Sequence, residues 1–450
     1  MRPVLKQPRK NWSMKCNLFG IVILIALPFL ACGQTVSVEE VIQIALQKNY
    51  DVRLSQNQSA SASTDSRFAF GVFLPNINGT GAYTKNNVDS RNVTFGDVET
   101  IRNGAQSTNM NGSIRVEWTL FDGTQMFATS KRLAELDALG RMNLRNQMVN
   151  TTAGVLANYY GIVRQKQQLN AIQEQTSVSE ERVKLAERKL LVGTGGKPEL
   201  LQAKVDLNAF RTSALQQETL IKQLKDQLNS LLGMGLPDGY EVTDSIPISM
   251  SLTLEEIAHD IENTNTALVA ARKNISVAEQ SLRENRAGRS PIINLTSAYN
   301  FNQIENELVT SPIAQKFISS RGYNYGLSVS VPILNGLNTS RLISQSKINV
   351  DRQRLMYDQQ QTIVLAGIRI AFANYENAKK TLVIEEENIL LAKENVTIAL
   401  EGFRRGITTF IELRTAQISL ADAYNRLIAS RFNAKISETE LLRLQGSLLN

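Results

Sequence analysis

The sequence predicts a mainly α fold with a membrane β-barrel, built from one unit used twice. Three observations carry that prediction: a gapless internal repeat, four strands with one apolar face each, and two helical runs far longer than globular proteins use. The repeat comes first, because overlooking one misassigns the whole fold. Val183 to Gly233 aligns without a gap on Val396 to Gly446, an offset of 213. Identical pairs include Ala186/Ala399, Gly193/Gly406, Glu199/Glu412, Leu207/Leu420 and Gly233/Gly446, and the same offset relates Gly123 to Gly336. Each copy reads as a strand hairpin, a very long helix, a glycine-marked turn and a returning helix.

Residues 1–33 hold Arg2, Lys6, Arg9, Lys10 and Lys15, no acid, and an apolar run from Leu18 to Ala31. That is the pattern of a secretory signal peptide, with small residues at Ala31 and Gly33 favouring cleavage before Gln34. Acylation of Cys32 is the competing reading, and Phe29-Leu30-Ala31 fits a lipobox poorly. Without these residues the net charge falls from +7 to +2, 44 basic minus 42 acidic. A nucleic-acid footprint would persist in the mature domain, so no nucleic-acid partner is expected. Cys16 and Cys32 are the only cysteines, which under simple cleavage excludes disulfides and thiol catalysis. No apolar run beyond Gln34 reaches about 18 residues, which excludes a spanning helix. An exported chain of this kind is periplasmic, secreted, or an outer-membrane barrel.

The expected organisation is a signal peptide at 1–33, a first repeat at 34–233, a linker at 234–252 and a second repeat at 253–450. Ser37-Val38-Glu39-Glu40 starts a helix by capping logic, and its apolar positions Val41, Ile42, Ala45 and Leu46 run toward Phe70. Pro75 opens the first strand hairpin, 75–120. Ile77, Gly79, Gly81 and Tyr83 share one face in the first strand, and Ile114, Val116, Trp118 and Leu120 alternate with Ser113, Arg115 and Glu117 in its partner. The second hairpin, 291–332, repeats the pattern with Ile293, Leu295, Tyr299 and Phe301, then Tyr323, Tyr325, Leu327, Val329 and Val331. Such strands, apolar on one face with aromatics near their ends, fit a transmembrane barrel, although a half-buried soluble sheet shows the same alternation. Residues 85–110 and 303–322 are polar and Asn-rich and read as long external loops.

From Thr124 to Val192 and from Leu337 to Arg405 no proline interrupts the helix-favouring sequence. Each run would span about 100 Å, against a typical helix of about 11–12 residues. Ile363, Ile370, Ile384, Leu391 and Ile398 fall in a seven-residue register, the seam of coiled-coil packing. The helical hairpins close at 124–232 and 337–448. Between the repeats, Gly233 to Pro247 breaks the helix, and a new helix starts near Thr253 and runs to about Ala287.

Four strands cannot close a barrel, since small barrels need about eight, and an open sheet edge is not viable in lipid. The barrel must be shared between copies, eight strands from two chains or twelve from three. At this point the order of elements resembles the TolC family of outer-membrane efflux proteins. The resemblance rests on the duplicated hairpin-plus-long-helix units, the strand starts at Pro75 and Pro291, and the corners Leu120-Phe121-Asp122-Gly123 and Ile333-Leu334-Asn335-Gly336. It also rests on the Gly193 and Gly406 turns, each followed by Glu-Leu. The family implies a homotrimer in which four strands per chain form a twelve-stranded barrel in outer-membrane lipid, continued by long periplasmic helices. It implies docking to a periplasmic adaptor protein and an inner-membrane pump of RND or ABC type.

By that resemblance the helical tips close the tunnel and meet the adaptor, which nominates Gly193, Thr194, Arg404, Arg405, Gly406 and Thr408. The plain alternative for the two glycines is helix termination in a left-handed conformation, which is compatible with contact. Glu412, and its twin Glu199, match a position where relatives carry an acid at the constriction, and a ring of carboxylates would raise one another's pKa. The alternative is a first-turn acid held by the helix N-terminus. Thr415 is not acidic where a second acid is sometimes found. His259 has no Cys or His companion, so no metal site is expected. No Ser-His-Asp set, P-loop or dinucleotide fingerprint is present, so neither an enzyme nor a cofactor is expected. The expected function is a passive exit duct. A periplasmic adaptor is the alternative, but it would carry one helical hairpin flanked by small β-domains, and a secreted coiled coil would leave the strand pairs unexplained.

Overall fold

The computed structural model describes residues 35–237, 239–307 and 315–449. The signal peptide expected at 1–33, with Cys16 and Cys32, lies outside the described residues. In chain order the elements of the first repeat are β1 (Thr35–Val36), α1 (Val38–Lys48), α2 (Tyr50–Arg67), a 3-10 turn (Ala69–Phe73), β2 (Asn76–Thr94), β3 (Val98–Phe121), α3 (Gln125–Leu191) and α4 (Lys197–Leu231). After β4 (Glu241–Val242) the second repeat runs α5 (Leu254–Ala258), α6 (Ile261–Thr264), α7 (Thr266–Ala287), β5 (Ile292–Asn306), β6 (Phe317–Ser330), α8 (Asn338–Arg405) and α9 (Phe410–Gln445).

The four long strands form one antiparallel sheet in the order β2-β3-β5-β6, which leaves β2 and β6 as open edges. Register puts Ile77 opposite Val116, Ile114 opposite Tyr299, Tyr299 opposite Tyr323, and Leu295 opposite both Trp118 and Leu327. One face of the sheet is therefore apolar from edge to edge, and its side chains are exposed: Ile77, Tyr83, Tyr323, Tyr325 and Leu327 are each more than 60% accessible. The opposite face carries Arg115, paired with Glu117 at 3.7 Å, the bond between the Thr80 and Ser113 hydroxyls at 2.9 Å, and Asn300 against Asn324 at 3.3 Å.

The expected external loops are mostly strand. Residues 85–94 pair with 98–108, and the hairpin turns only at Phe95-Gly96-Asp97, where Gly96 and Asp97 have positive φ. Ladder hydrogen bonds do not depend on side-chain polarity, so a segment polar on both faces can extend a sheet while showing no alternation to read. Likewise β5 continues to Asn306 and β6 begins at Phe317, so half of 303–322 is strand rather than loop.

The helices form a single wall beneath the sheet. Near the sheet the contacting neighbours run α2, α3, α7, α8, the order of the strands that follow or precede them. Further away α4 and α9 replace α2 and α7, giving α4, α3, α9, α8. The exchange happens at an equator where each repeat builds its own core. Val41, Ala45, Tyr159, Ile162, Leu228 and Tyr240 make one, and Ile257, Leu268, Ile368, Tyr375, Leu441 and Leu444 make the other. Tyr159, fully buried, donates its hydroxyl to Val36 O at 2.8 Å, and Tyr375 does the same to Ser249 O at 2.7 Å. These two tyrosines are 216 apart, so the second sits about one helical turn further along its helix than the offset of 213 would place it.

Two expected helices are broken at the equator. The helix begun at Ser37 stops at Asn49, whose side chain accepts from Val52 N–H at 3.1 Å to start α2 and donates to Leu231 O at 2.8 Å to end α4. The helix begun at Thr253 is broken twice, and at the second break Asn265 accepts from Leu268 N–H at 3.0 Å and donates to Leu444 O at 2.8 Å. One buried asparagine thus satisfies orphan groups of two helix ends at once. The segment between the repeats is part of the core rather than a loose connection: Leu236, Tyr240 and Val242 are buried, and Val36 pairs in parallel with Val242.

Candidate functional site

The helical tips lie at the end of the molecule remote from the sheet, and each is built by the chain reversing after a long helix. In the first hairpin α3 ends at Leu191, Gly193 adopts φ +75°, and Thr194 and Gly195 N–H both return to Lys189 O at 2.9 and 3.0 Å. In the second, Gly406 adopts φ +77°, and Ile407 and Thr408 N–H return to Gly402 O at 2.9 and 3.2 Å. A left-handed residue at this position lets orphan carbonyls of the last turn be satisfied. Gly193 and Gly406 have open space where a side chain would go, so the backbone conformation alone asks for glycine there.

A second glycine at each tip is needed for a different reason, and sequence reading did not single it out. A Cβ on Gly402 would lie 2.1 Å from Thr408 Oγ1, and a Cβ on Gly195 would lie 2.8 Å from Lys189 Cβ. Gly402 stands 213 after Lys189, and Thr408 stands 213 after Gly195. The same close approach therefore occurs in both hairpins, with the glycine on opposite sides of it. The signal was present in the repeat alignment, as a Gly/Lys mismatch compensated six residues later.

The two hairpins are tied to each other. Arg404 bridges Glu181 on α3 at 2.6 Å and Glu401 on its own helix at 2.5 Å. Lys189 donates to Phe403 O at 2.9 Å, at the negative end of α8, with its ammonium 3.6 Å from the centre of the Phe403 ring. Arg405 is exposed and makes no ion pair among the described residues.

Glu412 occupies a complete capping box. Its carboxylate accepts from Thr409 N–H at 2.7 Å, and Thr409 Oγ1 accepts from Glu412 N–H at 3.2 Å. The bond from the Thr409 backbone holds the Glu412 carboxyl below the usual range. Glu199 is half-buried in the first turn of α4 beside Pro198, and its own N–H donates to Gly196 O at 3.2 Å. The structure brings Gly193, Thr194 and Glu199 together in one tip, and Arg404, Arg405, Gly406, Thr408 and Glu412 in the other.

Behind the tips lies a polar seam that sequence reading missed. Gln175, Ser179 and Arg182 recur along one face of α3 at the spacing of a helix, and all are buried. Arg182, only 1% exposed, donates to Asp206 Oδ2 on α4 at 2.5 Å and to Gln417 Oε1 on α9 at 2.7 Å, with its guanidinium 5.1 Å from the Phe410 ring. Arg414 also reaches Asp206, at 3.1 Å. Burial would raise the Asp206 pKa, but hydrogen bonds from Gln202, Arg182 and Arg414 outweigh it and hold the carboxyl below its ordinary value. Both amide atoms of Gln175 and the Ser179 hydroxyl have no partner among the described residues. The available signal was a polar stripe at helical spacing inside a helix whose other faces are apolar or charged.

The profile of the outer membrane efflux protein family matches residues 41–234 and again 257–447. The chain belongs to this family. It is similar to the outer membrane protein TolC of Salmonella enteritidis, 19% identical over 437 residues that cover 96% of this chain and 86% of the relative. It is also similar to the cation efflux system protein CusC of Escherichia coli K12, 21% identical over 91% of this chain and 86% of the relative. Among solved structures, the outer membrane protein VceC of Vibrio cholerae superposes with a TM-score of 0.74 at 15% identity, covering 91% of this chain and 96% of that one. The protein is thus an outer-membrane efflux channel, its sheet in the membrane and its helices extending into the periplasm. The adaptor alternative is not supported, since the family match takes in both helical hairpins and both strand pairs.

Proposed function

We propose that three copies of this chain assemble into the exit duct of a tripartite efflux or secretion system, which conducts cargo passively from a periplasmic adaptor and an inner-membrane pump. The observation that carries this reading is that the chain is unfinished along both sides. The sheet has open edges at β2 and β6, and open edges in lipid leave backbone groups unsatisfied. The wall has matching free sides: the seam Ile363, Ile370, Ile384, Leu391 and Ile398 on α8 is more than half exposed. On the opposite side Tyr50 and Leu54 of α2, and Leu201, Val205 and Leu215 of α4, are equally bare. Joining α8 of one copy to α2 and α4 of the next covers both stripes while pairing β6 with β2. Three four-stranded sheets then give twelve strands, enough to enclose a water-filled passage.

In this reading Gly193, Thr194, Arg404, Arg405, Gly406 and Thr408 meet the adaptor, and Glu412 and Glu199 narrow the passage at the tips. Support comes from their common position at the end of the helices farthest from the sheet. Glu412 serves the capping box in any case, so its part in the constriction is secondary. The test places a photo-crosslinking residue at Thr194 or Thr408 in cells. An adaptor encoded near this gene should be captured from both positions but not from a probe at Asn86 in the barrel hairpin. Equal capture from all three would overturn the tip assignment.

A further inference from the structure

Where the wall meets the sheet, a cavity of about 380 Å³ opens between α3 and α7, lined in part by Phe127, Lys131, Gln280, Arg283, Arg286 and Ser290. Three cations face it, no carboxylate does, and all three are exposed. The acids on neighbouring turns are already engaged elsewhere: Glu284 with Arg132 at 2.9 Å, Glu135 with Lys273 at 3.0 Å, and Glu279 with Arg354 at 3.0 Å. Among the described residues Lys131, Arg283 and Arg286 form no ion pair, so their charge is left uncompensated.

The side of the wall on which this cavity opens is fixed by a chain of contacts. Trp118 belongs to the apolar, lipid-directed face of the sheet, opposite Leu295. Its indole N–H donates to Phe73 O at 2.9 Å, the Phe73 ring lies 5.1 Å from that of Phe127, and Phe127 lines the cavity. Exposed Phe68, Phe70, Leu74 and Phe127 surround the junction. Lys131 lies one helical turn from Phe127, about 6 Å toward the periplasm. Aromatic side chains thus sit at the edge of the hydrocarbon with Lys131 one turn below them, near the depth at which lipid phosphates lie.

We propose that this cavity binds the headgroup of an anionic phospholipid in the periplasmic leaflet of the outer membrane. Lys131, Arg283 and Arg286 take the phosphate, and Phe127 with Phe73 packs along the start of the acyl chains. The arginine guanidiniums suit a phosphodiester because each can present two parallel N–H donors to its oxygens. The site rests only on membrane placement and does not require the assembly or the partners proposed above. It is tested with the full chain, purified in detergent and stripped of lipid, by native mass spectrometry during titration with phosphatidylglycerol. Wild type should retain the lipid. Each exposed cation removed, as in Arg283→Gln, should weaken retention about fivefold, and Lys131→Gln/Arg283→Gln/Arg286→Gln together about a hundredfold. Lys131→Arg should retain lipid as wild type does, and the single variants keep the test informative should the triple variant fold poorly. Unchanged retention in Arg283→Gln would overturn the proposal. Displacement of the lipid by inorganic phosphate at equal concentration would also overturn it, by making this a site for a free anion.

Discussion

At the tips, single atoms decide what the backbone can do. The approach of residue 402 to residue 408, and of 189 to 195, leaves room for only one Cβ, and the repeats have placed the missing one on opposite partners. Gly402→Ala should therefore cost about 1–3 kcal/mol as an overpacked contact, seen as faster hydrogen exchange through residues 399–412. Adding Thr408→Gly should restore protection, because it reproduces the arrangement of the first hairpin. Asp206 gives a pH-dependent counterpart. Its folded pKa lies below the ordinary carboxylate value, so its stabilising effect is complete above that ordinary value and is lost as pH falls through the depressed one. Exchange protection of α4 near Asp206 should drop on acidification below about pH 4, and Asp206→Asn should flatten that drop. Little of this was legible beforehand. Gly193 and Gly406 announced themselves by position, whereas Gly402 and the Arg182 seam depend on which helices meet, and that information lies in the tertiary structure.

At the scale of elements, the absence of proline sufficed to place the two long helices within about two residues of their ends, and the second also carries a seven-residue register. The capping signal at Ser37 and the helix start near Thr253 also marked real starts, with Ser37 Oγ accepting from Glu40 N–H at 3.2 Å and a reciprocal box at Thr253. The breaks at Asn49 and Asn265 escaped notice because the apolar pattern continues across them. What pins each break is an asparagine bonded to a residue about 180 positions away, Leu231 or Leu444. Asn49→Ala and Asn265→Ala should each destabilise by about 1–3 kcal/mol, through a lost cap and a buried carbonyl left without a donor. Chemical denaturation followed by helical circular dichroism measures this, and near-wild-type midpoints for both would mean the asparagines do not pin the equator. The strand extensions beyond Thr84 and Phe301 were invisible for another reason: polar-on-both-faces ladders have no periodicity of two to detect.

At the scale of the whole molecule, the sequence argued from incompleteness, and the structure shows where the molecule is incomplete. The sheet ends in two open strands, and the heptad seam that suggested coiled-coil packing stays exposed, with no partner among the described residues. Exposed apolar stripes this long mark interaction surfaces rather than tolerated scatter. In the proposed assembly the polar face of the sheet, with Arg115 and Glu117, becomes the lumen once the edges of neighbouring copies meet. The fold, the membrane setting and the tip glycines were thus within reach of composition, repeat and resemblance. The equatorial pins, the polar seam and the cationic cavity at the rim depend on tertiary contacts between distant parts of the chain. The most direct test of the account is the native mass of the detergent-solubilised protein. Three chains per particle, with the particle falling apart when Ile384, Leu391 and Ile398 are each replaced by Asp, is the result it predicts. A stable particle containing one chain would contradict it.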